Sequence, residues 1–202
     1  DLGGGTTDLA IFLDGSIRHS AVLPIGGQNL TKDLAFVLHT SQTEAEKIKT
    51  QHGVARTELL TGHQIIEVPS VGDRPARTFS RRAIAEILEP RVEEMFELVR
   101  REIARAGYEG ILGAGVVITG GTSLLEGMPE AAERVLNLPA RRGIPSGVGG
   151  LRETVGHPSH STGVGLLLHA RRHVGELETA GLRNGGPWAK MRGWTKWVSE
   201  VF

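Results

Sequence analysis

Three consecutive glycines, Gly3-Gly4-Gly5, stand between Asp1-Leu2 and Thr6-Thr7-Asp8, and no other stretch limits the folds open to this chain so strongly. Glycine leaves its amide uncovered by a Cβ and reaches φ > 0 at little steric cost. Successive N–H groups turned to one side form an anion-binding concavity. The hydroxyls of Thr6 and Thr7 and the carboxylates of Asp1 and Asp8 flank it, a set suited to a phosphate chain carrying hydrated Mg²⁺. A tight β-turn without a ligand fits the same residues.

The residues after the glycines decide which kind of phosphate loop this is. A P-loop or a dinucleotide fingerprint runs from its glycines into a helix. Here they run into Leu9-Ala10-Ile11-Phe12-Leu13, then Asp14-Gly15, then Ile17 to Leu23. Apolar runs on either side of Asp-Gly predict a hairpin with a type I′ turn. The glycine turn therefore joins strands, and residues 1–25 read as strand-turn-strand-turn-strand.

The totals exclude several classes of function. Lys+Arg and Asp+Glu both number 23, so no overall charge bias points to nucleic acid. Without cysteine there is no disulfide framework or thiolate metal site, which fits a reducing compartment. No apolar run reaches the roughly 18 residues of a spanning helix, and no signal peptide is visible. The first Met is Met95, and upstream sequence is expected to be missing.

Downstream, Ile25-Gly26-Gly27 punctuates the chain, and Leu30, Leu34, Val37 and Leu38 fall at helical spacing in 29–38. Ser41 with Glu44 fits a capping box for a second helix, 44–52, stopped by Gly53. Residues 64–68 read as a strand and 71–75 as a turn. Ser80 caps a long helix to Arg105, ended by Gly107. Its Ile84, Ile87, Leu88, Val92, Met95, Phe96, Val99 and Ile103 make one core-facing stripe. Pro90 inside it predicts a kink or restart. Residues 114–119 read as a buried strand, followed by Gly120-Gly121-Thr122-Ser123, a helix over 129–136 and a last core helix over 161–172. Strands alternating with helices predict an α/β protein, with 26–107 as an inserted α+β lobe and 174–186 as a flexible linker.

Every Trp lies in the last fifteen residues. On a helical wheel Trp188, Met191, Trp194, Trp197, Val198, Val201 and Phe202 share one half, while Arg192, Lys196, Ser199 and Glu200 lie opposite and Lys190 sits at the boundary. Pro187 suits a first helical position. Aromatic residues on one face and basic residues on the other describe a helix lying in a membrane interface. Docking of the same helix on its own domain is the alternative. His157 with His160, and His169 with His173 at i, i+4, bring no third ligand into view, so no metal site is expected.

DLGGGTTD, TEAEKIKTQHG and VVITGGTSLLEG occur in that order, and together they resemble the second half of an actin-superfamily nucleotide-binding protein. Segments 14–19, 24–27, 67–72 and 85–91, with the terminal helix after a linker, resemble the FtsA family of bacterial cell division proteins. The resemblance covers essentially the whole chain. It implies an actin-like, ribonuclease H-like subdomain IIA at 1–25 and 108–173, an inserted subdomain IIB at 26–107, the 174–186 linker and a membrane-targeting helix at 187–202. It also implies that ATP is held by the amides of Gly3, Gly4 and Gly5 and the hydroxyls of Thr6 and Thr7. Asp1 would lie near the Mg²⁺. Gly120, Gly121 and Thr122 would lie at the nucleoside, Glu46 at the ribose and Lys49 beside the adenine. Glu46 and Lys49 share a helix face, which an ordinary solvated pair would also do.

Implied partners are the C-terminal peptide of the tubulin-like FtsZ, met on IIB by Arg74, Arg77, Arg81 and Arg82, further copies of the protein in filaments, other division proteins, and cytoplasmic-membrane lipids at the septum. No nucleic-acid partner is expected. No substrate-activating base is identifiable, so ATP turnover is expected to be slow at most, and the chain by itself is expected to have negligible ATP affinity. A small-molecule kinase or an MreB- or PilM-like protein of the same superfamily is the competing reading; neither accounts for the Trp-rich terminus together with EVPSVG and AEILEPR.

Overall fold

The computed structural model describes residues 1–72, 74–149 and 155–179, with the backbone alone for 173–179. The chain divides into two units, Asp1–Gly143 and Ile144–Phe202.

The first unit opens with the expected hairpin. Strand β1 (Thr7–Leu13) pairs antiparallel with β2 (Ser16–Leu23). Asp14 and Gly15 take φ of 52° and 75°, the left-handed pair a type I′ turn demands. A register shift between Ile11 and Phe12 leaves Ile11 buried and Phe12 58% exposed. The third strand expected ahead of the glycines is a single antiparallel bridge, Leu2 to Thr7.

Helix α1 (Gly27–Leu38) buries Leu30, Leu34 and Leu38 completely, an i, i+4 stripe facing the core. Helix α2 (Gln42–His52) starts at Ser41, whose Oγ accepts from the Glu44 N–H at 3.2 Å. The capping box stays half made, because the Glu44 carboxylate pairs with Lys47. Gly53 ends α2 in ordinary extended geometry. What fixes glycine there is space, since a Cβ would meet Lys49 O at 2.4 Å and Leu125 Cδ1 at 2.7 Å.

A second hairpin comes next, β3 (Ile65–Val68) against β4 (Arg77–Ser80). The short polar β4 carries no alternation that would announce it. Ser80 Oγ then accepts from the Ala83 N–H at 3.1 Å and starts α3 (Arg81–Arg105). That helix runs uninterrupted through Pro90, so of the expected kink or restart the restart does not occur. Pro90 is exposed, while the stripe on either side of it is held by the core: Leu88, Val92 and Met95 are 0% exposed. Each such side chain contributes about 1.5–3 kcal/mol, enough to offset one lost backbone bond. Arg91 fastens α3 to α1 through a two-pronged pair with Asp33, at 2.6 and 3.2 Å.

Strand β5 (Val116–Ile118), helix α4 (Met128–Leu136) and β6 (Ala140–Arg142) close the unit as a parallel pair joined through a helix. Only Ile118 of β5 is buried. Val117, on the opposite face of the pleat, is 52% exposed, so the expectation of a buried strand holds for one side only. One hydrophobic cluster runs from Leu2 and Ile11 through Ile66, Leu88 and Phe96 to Leu136. Segment 26–107 therefore shares its core with the segments that flank it.

In the second unit a short 3₁₀ turn (Pro158–His160) leads into α5 (Ser161–Thr179). This helix continues past Arg172 into 174–179, which the sequence reading gives to the linker. Residues 180–202, with every Trp, lie outside the described residues. Among the described residues no helix is long and apolar enough to cross a membrane.

Candidate functional site

The glycine turn is held from within. Gly3 N–H donates to Thr6 O at 2.9 Å and Asp8 N–H to Asp1 O at 2.9 Å, and Thr6 Oγ1 reaches Asp8 Oδ2 at 3.2 Å. Thr7 is buried, its hydroxyl donating to Ile25 O at 2.8 Å. The Gly3 amide and the Thr7 hydroxyl, both expected to face phosphate, are thus engaged inside the fold. Gly4, Gly5 and Thr6 are exposed. Positive φ, which the run of glycines permits, is not used at any of the three. At Gly3 the need is room, because a Cβ would stand 3.0 Å from Thr6 O.

The turn rests on the first turn of α1. Gly27 N–H donates to Gly3 O at 2.9 Å and Gln28 N–H to Gly4 O at 2.8 Å. Thr122 adds its hydroxyl to Gly3 O at 2.9 Å and its N–H to Leu2 O at 3.0 Å. A Cβ on Gly27 would overlap Thr122 Oγ1 at 2.3 Å. At Gly120, φ is 90° and a Cβ would fall 2.2 Å from Asp1 Oδ1, so two separate constraints require glycine. DLGGGTTD and ITGGTS thereby meet at the mouth of one cleft.

That cleft has a volume of about 840 Å³ and lies among α1, α2, the glycine turn and the 121–126 segment. Gly4, Glu46, Lys49, Gly121 and Thr122 line it, as do Gly27, Gln28, Thr31 and Leu124 to Glu126, which the sequence reading leaves out. Asp1, Gly3, Gly5, Thr6, Thr7 and Gly120 are not among its lining residues. The clue to Thr31 was its place four residues after Gly27: the hydroxyl lies 3.0 Å from Gly27 O, one turn back.

Lys49 and Glu46 do share a face, and the Lys49 half of the pair is buried while the Glu46 side chain stays 49% exposed. Lys49 is 8% exposed, and its Nζ donates to Gly27 O at 3.0 Å, Thr31 Oγ1 at 2.9 Å and Glu46 Oε2 at 2.7 Å. The ammonium ties α2 to the start of α1, with an acceptor for each of its protons. Thr31 also donates to Glu46. Burial pushes the Glu46 carboxyl upward, but hydrogen bonds from Lys49 and Thr31, with the Lys49 charge, outweigh it and hold the group below its ordinary value.

The four arginines expected at a peptide have different partners. Arg81 bridges His52 O, at 3.0 Å, and Glu126. Arg77 donates to Leu38 O and lies over the Phe79 ring, 5.2 Å from its centroid. Arg82 reaches Glu86 at 3.5 Å with its side chain 58% exposed. Arg74 is exposed and lines a shallow groove with Phe36, His39 and Val71. The expected membrane-facing residues, Trp188, Met191, Trp194, Trp197, Val198, Val201 and Phe202, lie outside the described residues.

The family described as cell division protein FtsA matches residues 1–165. FtsA of Pseudomonas aeruginosa is 51% identical over 169 residues, covering 84% of this chain and 40% of that protein. FtsA of Neisseria meningitidis is 41% identical over 210 residues, covering all of this chain and 50% of the relative. The chain spans about half the length of the curated relatives it matches. Among solved structures, MreB5 of Spiroplasma citri bound to AMPPNP superposes with a TM-score of 0.68 at 19% identity, over 89% of this chain and 54% of that one. A MamK double helical filament superposes with a TM-score of 0.59 at 17% identity, over 85% and 53%. At such identities the likeness concerns the fold, which is actin-like.

Proposed function

The chain belongs to the FtsA family of cell division proteins, and from that membership we propose that it forms the second half of an actin-like ATP-binding protein that holds the FtsZ ring at the septum, on the inner face of the cytoplasmic membrane. One observation carries the nucleotide part: two glycine-rich turns far apart in sequence open, through Gly4, Gly121 and Thr122, onto a single cleft that Glu46 and Lys49 also line. Family membership also favours this reading over a small-molecule kinase or an MreB- or PilM-like protein.

In this reading the exposed Gly4 and Gly5 amides and the Thr6 hydroxyl hold the β- and γ-phosphates. Mg²⁺ is carried by the nucleotide, with Asp1 beside its waters. A hydrated ion of this kind suits the residues present, since Asp1 and Asp8 supply carboxylates but no closed ligand cage. The metal supplies charge neutralisation of the phosphates. Gly121 leaves the backbone open to the nucleoside, Glu46 accepts from the ribose, and the Lys49 stem flanks the base. ATP bridging this half to the other favours self-association into filaments, as the filament form of MamK supports for the fold. Subdomain IIB, 26–107, presents Arg74 and Arg82 to the acidic FtsZ tail, and the 187–202 helix holds the assembly on lipid alongside other division proteins.

Photolabelling of the full-length protein with 8-azido-ATP and Mg²⁺ tests the cleft. Label competed by ATP is expected within 42–52 or 121–126 of this chain. Labelling in this chain confined to other segments overturns the assignment.

A further inference from the structure

The Gly3 carbonyl takes two donors, the Gly27 N–H and the Thr122 hydroxyl, both at 2.9 Å, and the Gly4 carbonyl takes the Gln28 N–H at 2.8 Å. In a trans peptide the N–H of the next residue points opposite to the carbonyl, and among the described residues no peptide bond is cis. Anchoring Gly3 O and Gly4 O on α1 therefore turns the Gly4 and Gly5 N–H groups to the other side of the turn, where both residues are exposed. The start of α1 points its donors at the turn, and two consecutive amides face outward as the consequence. Thr122 also gives its N–H to Leu2 O, so both of its polar hydrogens engage the 2–3 segment.

We propose that Thr122 is a positioning residue for the phosphate chain: acting through the Gly3 carbonyl, it fixes the outward direction of the Gly4 amide and makes no polar contact with the nucleoside. This rests on the nucleotide reading above and divides its parts differently, since by family resemblance Thr122 belongs to the nucleoside turn. Lys49, bonded to Gly27 O, secures the α1 end of the same chain of contacts.

The test uses the ¹⁵N-labelled full-length protein and two probes, inorganic pyrophosphate and adenosine. Pyrophosphate is expected to shift the Gly4 and Gly5 amide signals, with adenosine shifting those of Leu124 to Glu126. Thr122→Val, nearly the same shape but without the donor, is expected to weaken the pyrophosphate response about fivefold, the loss of one hydrogen bond, and to leave the adenosine response unchanged. Thr122→Ser keeps the hydroxyl and is expected to match the wild type for both. Equal losses of both responses in Thr122→Val, or a lost pyrophosphate response in Thr122→Ser, overturn the proposal while leaving the cleft a nucleotide site. A wild-type full-length protein that answers adenosine but not pyrophosphate overturns the proposal alone. One that answers neither removes the nucleotide reading with it.

Discussion

A Cβ on Gly26 would stand 2.6 Å from the carbonyl oxygen of Gly4 and 2.8 Å from that of Gly3. Gly26 has φ of −165°, extended backbone open to any residue, so the demand for glycine is purely one of space. Gly26→Ala must then push the glycine turn off the start of α1. The expected cost is about 1–3 kcal/mol, typical of an overpacked site, read as a lower urea midpoint. Gly5→Ala, where nothing lies within 4 Å, is expected within about 0.5 kcal/mol of wild type. Equal midpoints for the two variants would contradict this account.

Glu46 sits below its ordinary carboxyl value in the folded chain, despite a desolvation that works the other way. A lowered folded value means that its stabilising contribution is present above the ordinary carboxylate range and is lost as pH falls through the folded value. Lys49→Met removes the ammonium that gives most of the lowering and leaves Gly27 O with one donor fewer. A loss of about 1–3 kcal/mol is expected, and the Glu46 titration followed by ¹³C NMR should move upward. An unmoved titration would mean that Thr31 alone sets it.

At the far end of α3, Glu102 accepts from Arg105 at 2.6 and 2.8 Å and meets His19 Nε2 at 2.7 Å, joining α3 to β2. Hydrogen bonds from Arg105 and then His19 hold the Glu102 carboxyl at about 2, below the 4.5 of a free glutamate. Its folded value is depressed, so the contribution is complete above about 4.5 and drains away between there and about 2. Glu102→Gln should lower the urea midpoint at pH 7, and the gap from wild type should close as pH falls toward 3. A gap that stays constant with pH would assign the loss to packing instead.

Long periodic elements and tight turns were legible in the sequence because each rests on local chemistry. Asp14-Gly15 dictated its turn, Ser41 and Ser80 their caps, and the α3 stripe its buried face. Strands β4 and β6 were not legible, since three or four largely polar residues become a strand only through a partner elsewhere in the chain. The site divided along the same line. The family resemblance pointed to Gly4, Glu46, Lys49, Gly121 and Thr122, and all five line the cleft wall. Gly26, Gly27 and Thr31 escaped because their roles depend on distances to residues far along the chain. At Gly3 and Thr7 a residue pattern does not reveal that a donor is already engaged, by Thr6 O within the turn and by Ile25 O at the end of the hairpin.

The arginines separate into those the fold uses and those it leaves open. Arg81, held by His52 O and Glu126, is expected to lower stability when changed to Ala, because two elements lose a common tie. Arg74 and Arg82 are exposed, and Arg74→Ala and Arg82→Ala are expected to leave the urea midpoint within about 0.5 kcal/mol. If IIB receives the FtsZ tail there, each should weaken affinity for an FtsZ C-terminal peptide about two- to fivefold, more at low salt. Fluorescence anisotropy measures it. Unchanged affinity for Ala at all of Arg74, Arg77, Arg81 and Arg82 rejects the assignment.

The terminal segment supplies its own reporter, because Trp188, Trp194 and Trp197 are the chain's only tryptophans. An interfacial helix buries such rings at the boundary between headgroups and acyl chains, so vesicles containing anionic lipid should shift the emission to the blue. Lys190, Arg192 and Lys196 add roughly 1 kcal/mol each near an anionic surface, and raised salt should release part of the bound chain. A chain ending at Gly186 should remain at the bottom of a flotation gradient in which the full chain rises. If the helix instead docks on its own domain, the emission is already blue without lipid, vesicles leave it unchanged, and both chains stay at the bottom.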